Sequence, residues 1–237
     1  MKSKIQKLEG HASQLLDGFI HLREKYALLH PMLFDENVVK LRGSNLQARG
    51  FLTLRHSLFL TCAQDIAKLT FDKDKRAPSI RKLFEELKEH SISSSLKDSF
   101  SIWKSPSLES EKDPEIAEAL KRIEVREQEG RRRQFEEILC SAQNAWATLS
   151  NAAYMKGFLT IRDKITAHTE VQHVVDKYQP IDIGTLGIKW GDLKRAIEEM
   201  QELVESLNLL IRNSGFAWDQ LDHELSKASE NFWDPSN

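Results

Sequence analysis

From Glu115 to Leu149 the chain runs without a proline, and Ile116, Leu120, Ile123, Phe135, Ile138, Leu139, Ala142 and Trp146 keep helical spacing. Such a stretch is one very long helix, or two joined by a kink near Gly130, and the fold that houses it must be helical. The same steps of three and four recur in Ile5, Leu8, Ala12, Leu15, Phe19, Leu22 and Tyr26, which predict a first helix over about residues 3 to 29 with a stop near Pro31. A short piece around Glu36 to Leu41 ends at Gly43. Ser44 is then placed to cap a helix through Leu52, Phe59, Cys62, Ile66 and Leu69 that ends near Phe71.

After a polar turn over Asp72 to Arg76, Ser79 caps a helix reaching Glu89, and Ser91 to Lys104 reads as a weaker, serine-rich helix. Residues 105 to 113 form the best flexible connection, and Asp113-Pro114 is a good N-cap followed by proline at the first helical position. Ser150 or Asn151 restarts a helix carrying Tyr154, Phe158, Ile161 and Ile165. Lys177 to Trp190 reads as loop, and Gly191-Asp192 opens an amphipathic helix through Leu210, followed by Gly215 and a last short helix. Nothing alternates with a strand period for long. With only ten Gly and six Pro in 237 residues, the expectation is one all-α domain over 1–237, with a flexible insertion near 91–113 and a short helical extension at 215–237. Gly50 to Arg55 and Gly157 to Arg162 match at five of six positions, but the likeness stops after the arginines, so it reads as coincidence or similar packing.

Lys plus Arg total 34 against 36 Asp plus Glu, so no global positive field advertises nucleic acid and any basic surface must be local. Cys62 and Cys140 fit buried thiols in a reducing compartment. The N-terminus lacks an apolar signal core, and no run approaches the ~20 apolar residues of a membrane helix, so a cytoplasmic protein without membrane contact is expected.

Chemistry concentrates in Ile161-Arg162-Asp163-Lys164-Ile165-Thr166-Ala167-His168. Six α-helical steps from Arg162 to His168 advance the chain about 9 Å and rotate it about 600 degrees, about 120 degrees off alignment. Phe158, Ile161 and Ile165 lead in step to His168, so both polar residues edge a face that must meet another helix. Arginine stays cationic and grips phosphate with a rigid fork, whereas histidine titrates near neutrality and exchanges protons. That pair suits RNA, whose 2′-hydroxyl is an internal nucleophile: cleavage needs proton transfer and a cation on the crowded phosphorane, but no metal. Histidines framing an acid in the zinc-protease pattern are absent, so no metal or other cofactor is expected, and without a Gly-rich phosphate loop a nucleotide-binding regulator is disfavoured.

The segment Arg162 to His168 resembles the motif of HEPN (higher eukaryotes and prokaryotes nucleotide-binding) domains, in which four to six residues separate arginine and histidine and a polar residue follows the arginine. The variant is most similar to the abortive-infection, U-type HEPN group. Asp65 to Asp72, Ser79 to Leu83, and Trp190-Gly191-Asp192-Leu193 resemble that group's second helix, its following short helix and its last long helix, so the likeness spreads over about residues 5 to 212. It implies a HEPN-like bundle of four to five long helices with short accessory ones, which forms a homodimer with the two motifs facing each other. The site would be a metal-independent endoribonuclease of a toxin or phage-defence system. On that resemblance Arg162 polarises the scissile phosphate, His168 transfers protons and Asp163 orients either of them, with Lys164 and Arg55 binding substrate. RNA is the implied partner, alongside an antitoxin or nucleotidyltransferase. The rival reading is a non-catalytic helical dimerisation module of a defence system. The resemblance does not account for the insertion at 91–113, and Phe71 stands where the helix is expected to have ended.

Each of these residues also has a structural explanation. His168 suits a helix C-terminus, where the dipole favours it, and Arg162 could pair with Asp163 or Glu170 on the surface. Arg131-Arg132-Arg133, with Lys121, Arg122 and Arg126, either tracks RNA or forms ion pairs with the interleaved Glu127, Glu129, Glu136 and Glu137; the second reading is stronger. Arg55 and His56, about 100 degrees apart, either line the same pocket or are structural. Trp190, Trp218 and Trp233 are expected to pin termini onto the bundle rather than stack bases.

Overall fold

The computed structural model describes residues 2–234 apart from residues 43, 44, 107, 109, 110, 168, 169, 175 and 176. The described helices are α1 (Lys2–Phe34), α2 (Glu36–Arg42), α3 (Asn45–Phe71), α4 (Ile80–Leu87), α5 (His90–Ser101), α6 (Pro114–Asn151), α7 (Ala153–Thr160), α8 (Trp190–Arg212) and α9 (Trp218–Trp233). The fold is an all-α bundle, with the expected cap residue Ser44 outside the described residues.

Helix α3 is the hub. One face carries Cys62, Asp65 and Leu69 toward α1: Lys25 Nζ donates to Asp65 Oδ2 at 2.6 Å, and Leu69 sits where a Cβ on Gly18 would lie 2.8 Å from its Cδ2. A second face meets α8, with Phe59 edge-on to Trp190 at 5.0 Å between ring centroids and Thr70 Oγ1 3.6 Å from Met200 Sδ. The third carries Ala63 and Ala67, both fully buried, and receives the segment that follows α7. Phe19, Leu22 and Leu29 of α1 and Leu193, Met200 and Leu207 of α8 complete the interior.

Four expectations are corrected. Helix α1 does not stop near Pro31 but runs to Phe34. Proline has no N–H, so the Ala27 carbonyl loses its helical donor. Ser229 Oγ of α9 donates to that carbonyl instead at 2.7 Å, and Trp233 Nε1 donates to the Leu28 carbonyl at 3.1 Å. The serine-rich helix expected from Ser91 forms and ends at Ser101, but the stretch 91–113 is not a flexible insertion throughout: Ile92, Leu96 and Phe100 enter the core, because their spacing puts them on one buried face. Residues 177–190, expected as loop, contribute strand β2 (Lys177–Pro180) paired antiparallel with β1 (Val171–Val174), then a 3-10 turn over Ile183–Leu186. Strands this short are below the length at which alternation is legible. Finally, Ser150 and Asn151 do not cap α7. Both side chains donate back to the Ala147 carbonyl, and the break falls at Ala152, which is extended at ψ 135°.

Other expectations hold locally. Ser79 Oγ accepts from the Lys82 N–H at 3.2 Å and Asp113 Oδ1 from the Glu115 N–H at 2.9 Å. Helix α6 is continuous through Gly130, and its buried residues are Phe135, Ala142 and Leu149. Gly50 has open space where Gly157 is pressed against Ile188, so the two similar hexapeptides occupy different environments.

Replacing Ser229 with Ala leaves the Ala27 carbonyl without a donor, and urea unfolding is expected to show a loss of about 1–3 kcal/mol. In a Pro31→Ala background, which restores the helical donor, the same substitution should cost clearly less. Cys62 is fully buried, which pushes its thiol up to about 12, whereas Cys140 is exposed. Native protein should therefore titrate one thiol with Ellman's reagent and two in denaturant. Because the folded value is raised from 9.0 to about 12, the stability tied to the Cys62 thiol is whole below pH 9 and lost as pH climbs toward 12.

Candidate active site

The motif begins where α7 ends. Tyr154 and Phe158 anchor α7, and Ile161 is fully buried, so the next residue is carried to the edge of the seam with α3. From Ile161 to Thr166 the backbone widens into a π-helical turn. The Ala167 N–H donates to the Arg162 carbonyl at 3.0 Å, a five-residue step in place of the usual four. Thr166 Oγ1 lies 3.2 Å from the Ile161 carbonyl and 3.0 Å from the Arg162 carbonyl, so the Arg162 carbonyl is approached by this hydroxyl as well as by the Ala167 N–H. The rotation of about 600 degrees drawn for an α-helix therefore does not apply here, because a π turn advances less per residue.

Arg162 lies against α3. Its Nε donates to Asp163 Oδ1 at 2.6 Å and an Nη donates to the Ala67 carbonyl at 3.5 Å, near the negative end of the α3 dipole. The side chain keeps 22% of its exposure, while Asp163 keeps 55%. Lys164, an expected substrate-binding residue, is exposed and ion-paired at 3.2 Å with Glu170, which was the other candidate partner for Arg162. His168 lies outside the described residues. Arg55 lies elsewhere on α3: twelve positions, about 18 Å of helix, separate it from Ala67. Its guanidinium sits 5.9 Å from the Phe51 ring and 6.0 Å from the Trp190 ring.

The site is thus a cation held by a neighbouring carboxylate on a π turn that is open to solvent on its Asp163 side. An arginine so placed can present free N–H groups to a phosphate while its Nε stays locked. Among the described residues no group of three His, Cys, Asp or Glu side chains is placed to hold a metal ion. Two of the three consecutive arginines on α6 are engaged with the bundle. Arg131 donates to the Ile102 carbonyl at 3.0 Å, and Arg132 lies 3.5 Å from Asp98, so its partners come from α5 and the following segment rather than from glutamates of α6.

Thr166 is the site residue that sequence reasoning missed. A hydroxyl four and five positions after two motif carbonyls was the available signal, but it acquires meaning only once the turn is known to be wide.

These features define a helical bundle with an arginine–carboxylate couple on a distorted late helix. The model of the AbiU2 family of HEPN domains matches residues 5–232, and the chain belongs to that family. No curated protein and no solved structure matches the chain. Family membership associates the chain with abortive-infection HEPN biology, and among the described residues no helix is long and apolar enough to cross a membrane.

Thr166→Val keeps the shape of the side chain but removes the donor. The expected result is a loss of about 1 kcal/mol in stability and faster amide exchange at Ala167, read by hydrogen–deuterium exchange.

Proposed function

We propose that this protein is a metal-independent endoribonuclease acting as a toxin or abortive-infection effector in the cytoplasm. The observation that carries the reading is Arg162, fixed by Asp163 on a π turn within a chain of the AbiU2 HEPN family. In the reaction the RNA 2′-oxygen attacks the adjacent phosphorus and the bond to the 5′-oxygen breaks, leaving a cyclic phosphate and a free 5′-hydroxyl. Arg162 stabilises the charge that builds on the phosphoryl oxygens. His168 moves a proton, either from the 2′-hydroxyl or to the leaving oxygen, and the second transfer falls to the imidazole of a second copy of the chain. Asp163 aims the guanidinium, and Lys164 offers a second cation once it is released from Glu170. The exposure of Asp163 and Lys164 in a single chain supports a site completed by a homodimer. An antitoxin or nucleotidyltransferase would be the regulating partner.

One observation favours a second reading. Two of the Arg162 nitrogens are already satisfied within the chain, as they would be in a non-catalytic dimerisation module. End-labelled RNA incubated with purified protein in EDTA separates the two. The ribonuclease reading expects cyclic-phosphate products, and a rate at least about 100-fold lower for Arg162→Ala and for His168→Ala with unchanged melting temperature. Undiminished cleavage by both variants, or no cleavage at all with a dimer weakened by Arg162→Ala, would overturn it in favour of the module.

A further inference from the structure

Between Glu36 and Asp65 the sequence contains no acidic residue, although acids outnumber bases in the whole chain, and Lys40, Arg42, Arg49, Arg55 and His56 all fall in that interval. Helical counting places Arg49, Thr53, His56, Leu60, Ala63 and Ala67 on one face of α3, at alternating steps of four and three. The C-terminal end of that face is the one that receives Arg162 through the Ala67 carbonyl. Its N-terminal end is uncovered: Arg49, Thr53 and His56 are exposed, and neighbouring Leu52 is 49% exposed. Among the described residues neither Arg49 nor Arg55 has an ion-pair partner, whereas Lys40 is held by Glu36.

Trp190, at the start of α8, lies against Arg55 and Phe59, which stand about 120 and 80 degrees around α3 from Arg49. Unlike Trp218 and Trp233, which are buried, it keeps 44% of its surface open. It is nevertheless held: Phe59 meets it edge-on and the Arg55 guanidinium lies 6.0 Å from its ring. An indole fixed at two sides, exposed, and beside a guanidinium with no ion-pair partner among the described residues has the make-up of a base-stacking platform next to a phosphate contact. A rigid aromatic contributes stacking without much ordering cost, and a guanidinium over an aromatic ring retains N–H groups for phosphate.

We propose that single-stranded RNA reaches the Arg162 motif across this strip and the adjoining side of α3, with Trp190 stacking a base, Arg55 beside it holding one backbone phosphate and Arg49 on the strip holding another. The inference rests on the ribonuclease reading above for its substrate. A duplex is disfavoured as the ligand because its bases are stacked on each other and offer no face to Trp190.

The test is fluorescence anisotropy with a labelled, 2′-O-methylated single strand of roughly 12 nucleotides, within the usual footprint of such surfaces, so that binding is read without cleavage. Trp190→Ala should weaken binding between about fivefold and 150-fold, and Trp190→Phe should recover most of the loss. Arg49→Glu should weaken it at least about tenfold and lower the slope of log affinity against log salt by about one, as expected for a phosphate contact. Arg126→Glu, an exposed cation on α6, serves as the control for bulk charge and should change affinity less than about twofold. If the wild type binds while Trp190→Ala and Arg49→Glu, with unchanged melting temperatures, stay within about twofold of it, the track is refuted and the ribonuclease reading is untouched. If the wild type binds no single strand, or binds the matching duplex more tightly, the track is refuted as well, and absence of cleavage in the separate assay would remove the ribonuclease reading too.

Discussion

The close seating of the motif segment on α3 is the constraint on which the site depends. It requires a face of α3 built from small residues, and Ala63 and Ala67 supply one, fully buried and without long side chains to hold the π turn away. The same helix must satisfy α1 and α8 on its other faces. Lys25 to Asp65 and the packing of Leu69 on Gly18 fix the first, and Phe59 and Thr70 against Trp190 and Met200 fix the second. Rotating α3 to improve any one contact would misalign the other two. The position of the Arg162 guanidinium is thus set by packing far from the chemistry.

The π turn adds a second level of control. Inserting one residue into a helical ladder leaves carbonyls without their usual donors, and such turns persist only where something compensates. Here buried Ile161 holds the start of the turn against the core, the Ala167 N–H serves the Arg162 carbonyl, and the Thr166 hydroxyl adds a side-chain bond to it. The wider turn and the Arg162–Asp163 couple therefore form one unit, which links the local backbone path to the direction in which a cation points.

Much of this was legible in the sequence. Apolar spacing gave the long helices, and the caps at Ser79 and Asp113 could be read from residue type alone. Arg162 and His168 stood out because their ionisation properties suit one kind of chemistry, and Asp163 through the family resemblance; of the three, the described residues show the Arg162–Asp163 pair. What escaped had physical reasons. The continuation of α1 through Pro31 depends on a hydroxyl from Ser229, some 200 positions away, which no local pattern reports. The hairpin strands are too short to show alternation. The π turn carries no Gly or Pro to announce it, and the exposure of Trp190, in contrast to the burial of Trp218 and Trp233, is decided by where α8 begins relative to α3. The polar or cationic character of a surface could be counted; which face it fell on could not.

Helix α6 spans 38 residues, about 57 Å, yet it buries nothing before Phe135. Its first half is steadied by polar ties to the chain returning from α5: Gln128 to the Trp103 carbonyl and the Ser105 N–H to Glu124. Contacts of that kind contribute far less than apolar burial, so the rod has a firm root and a soft tip. Heating or low denaturant should unwind it from the Pro114 end inward while the bundle stays intact, giving the protein two regions that melt out of step.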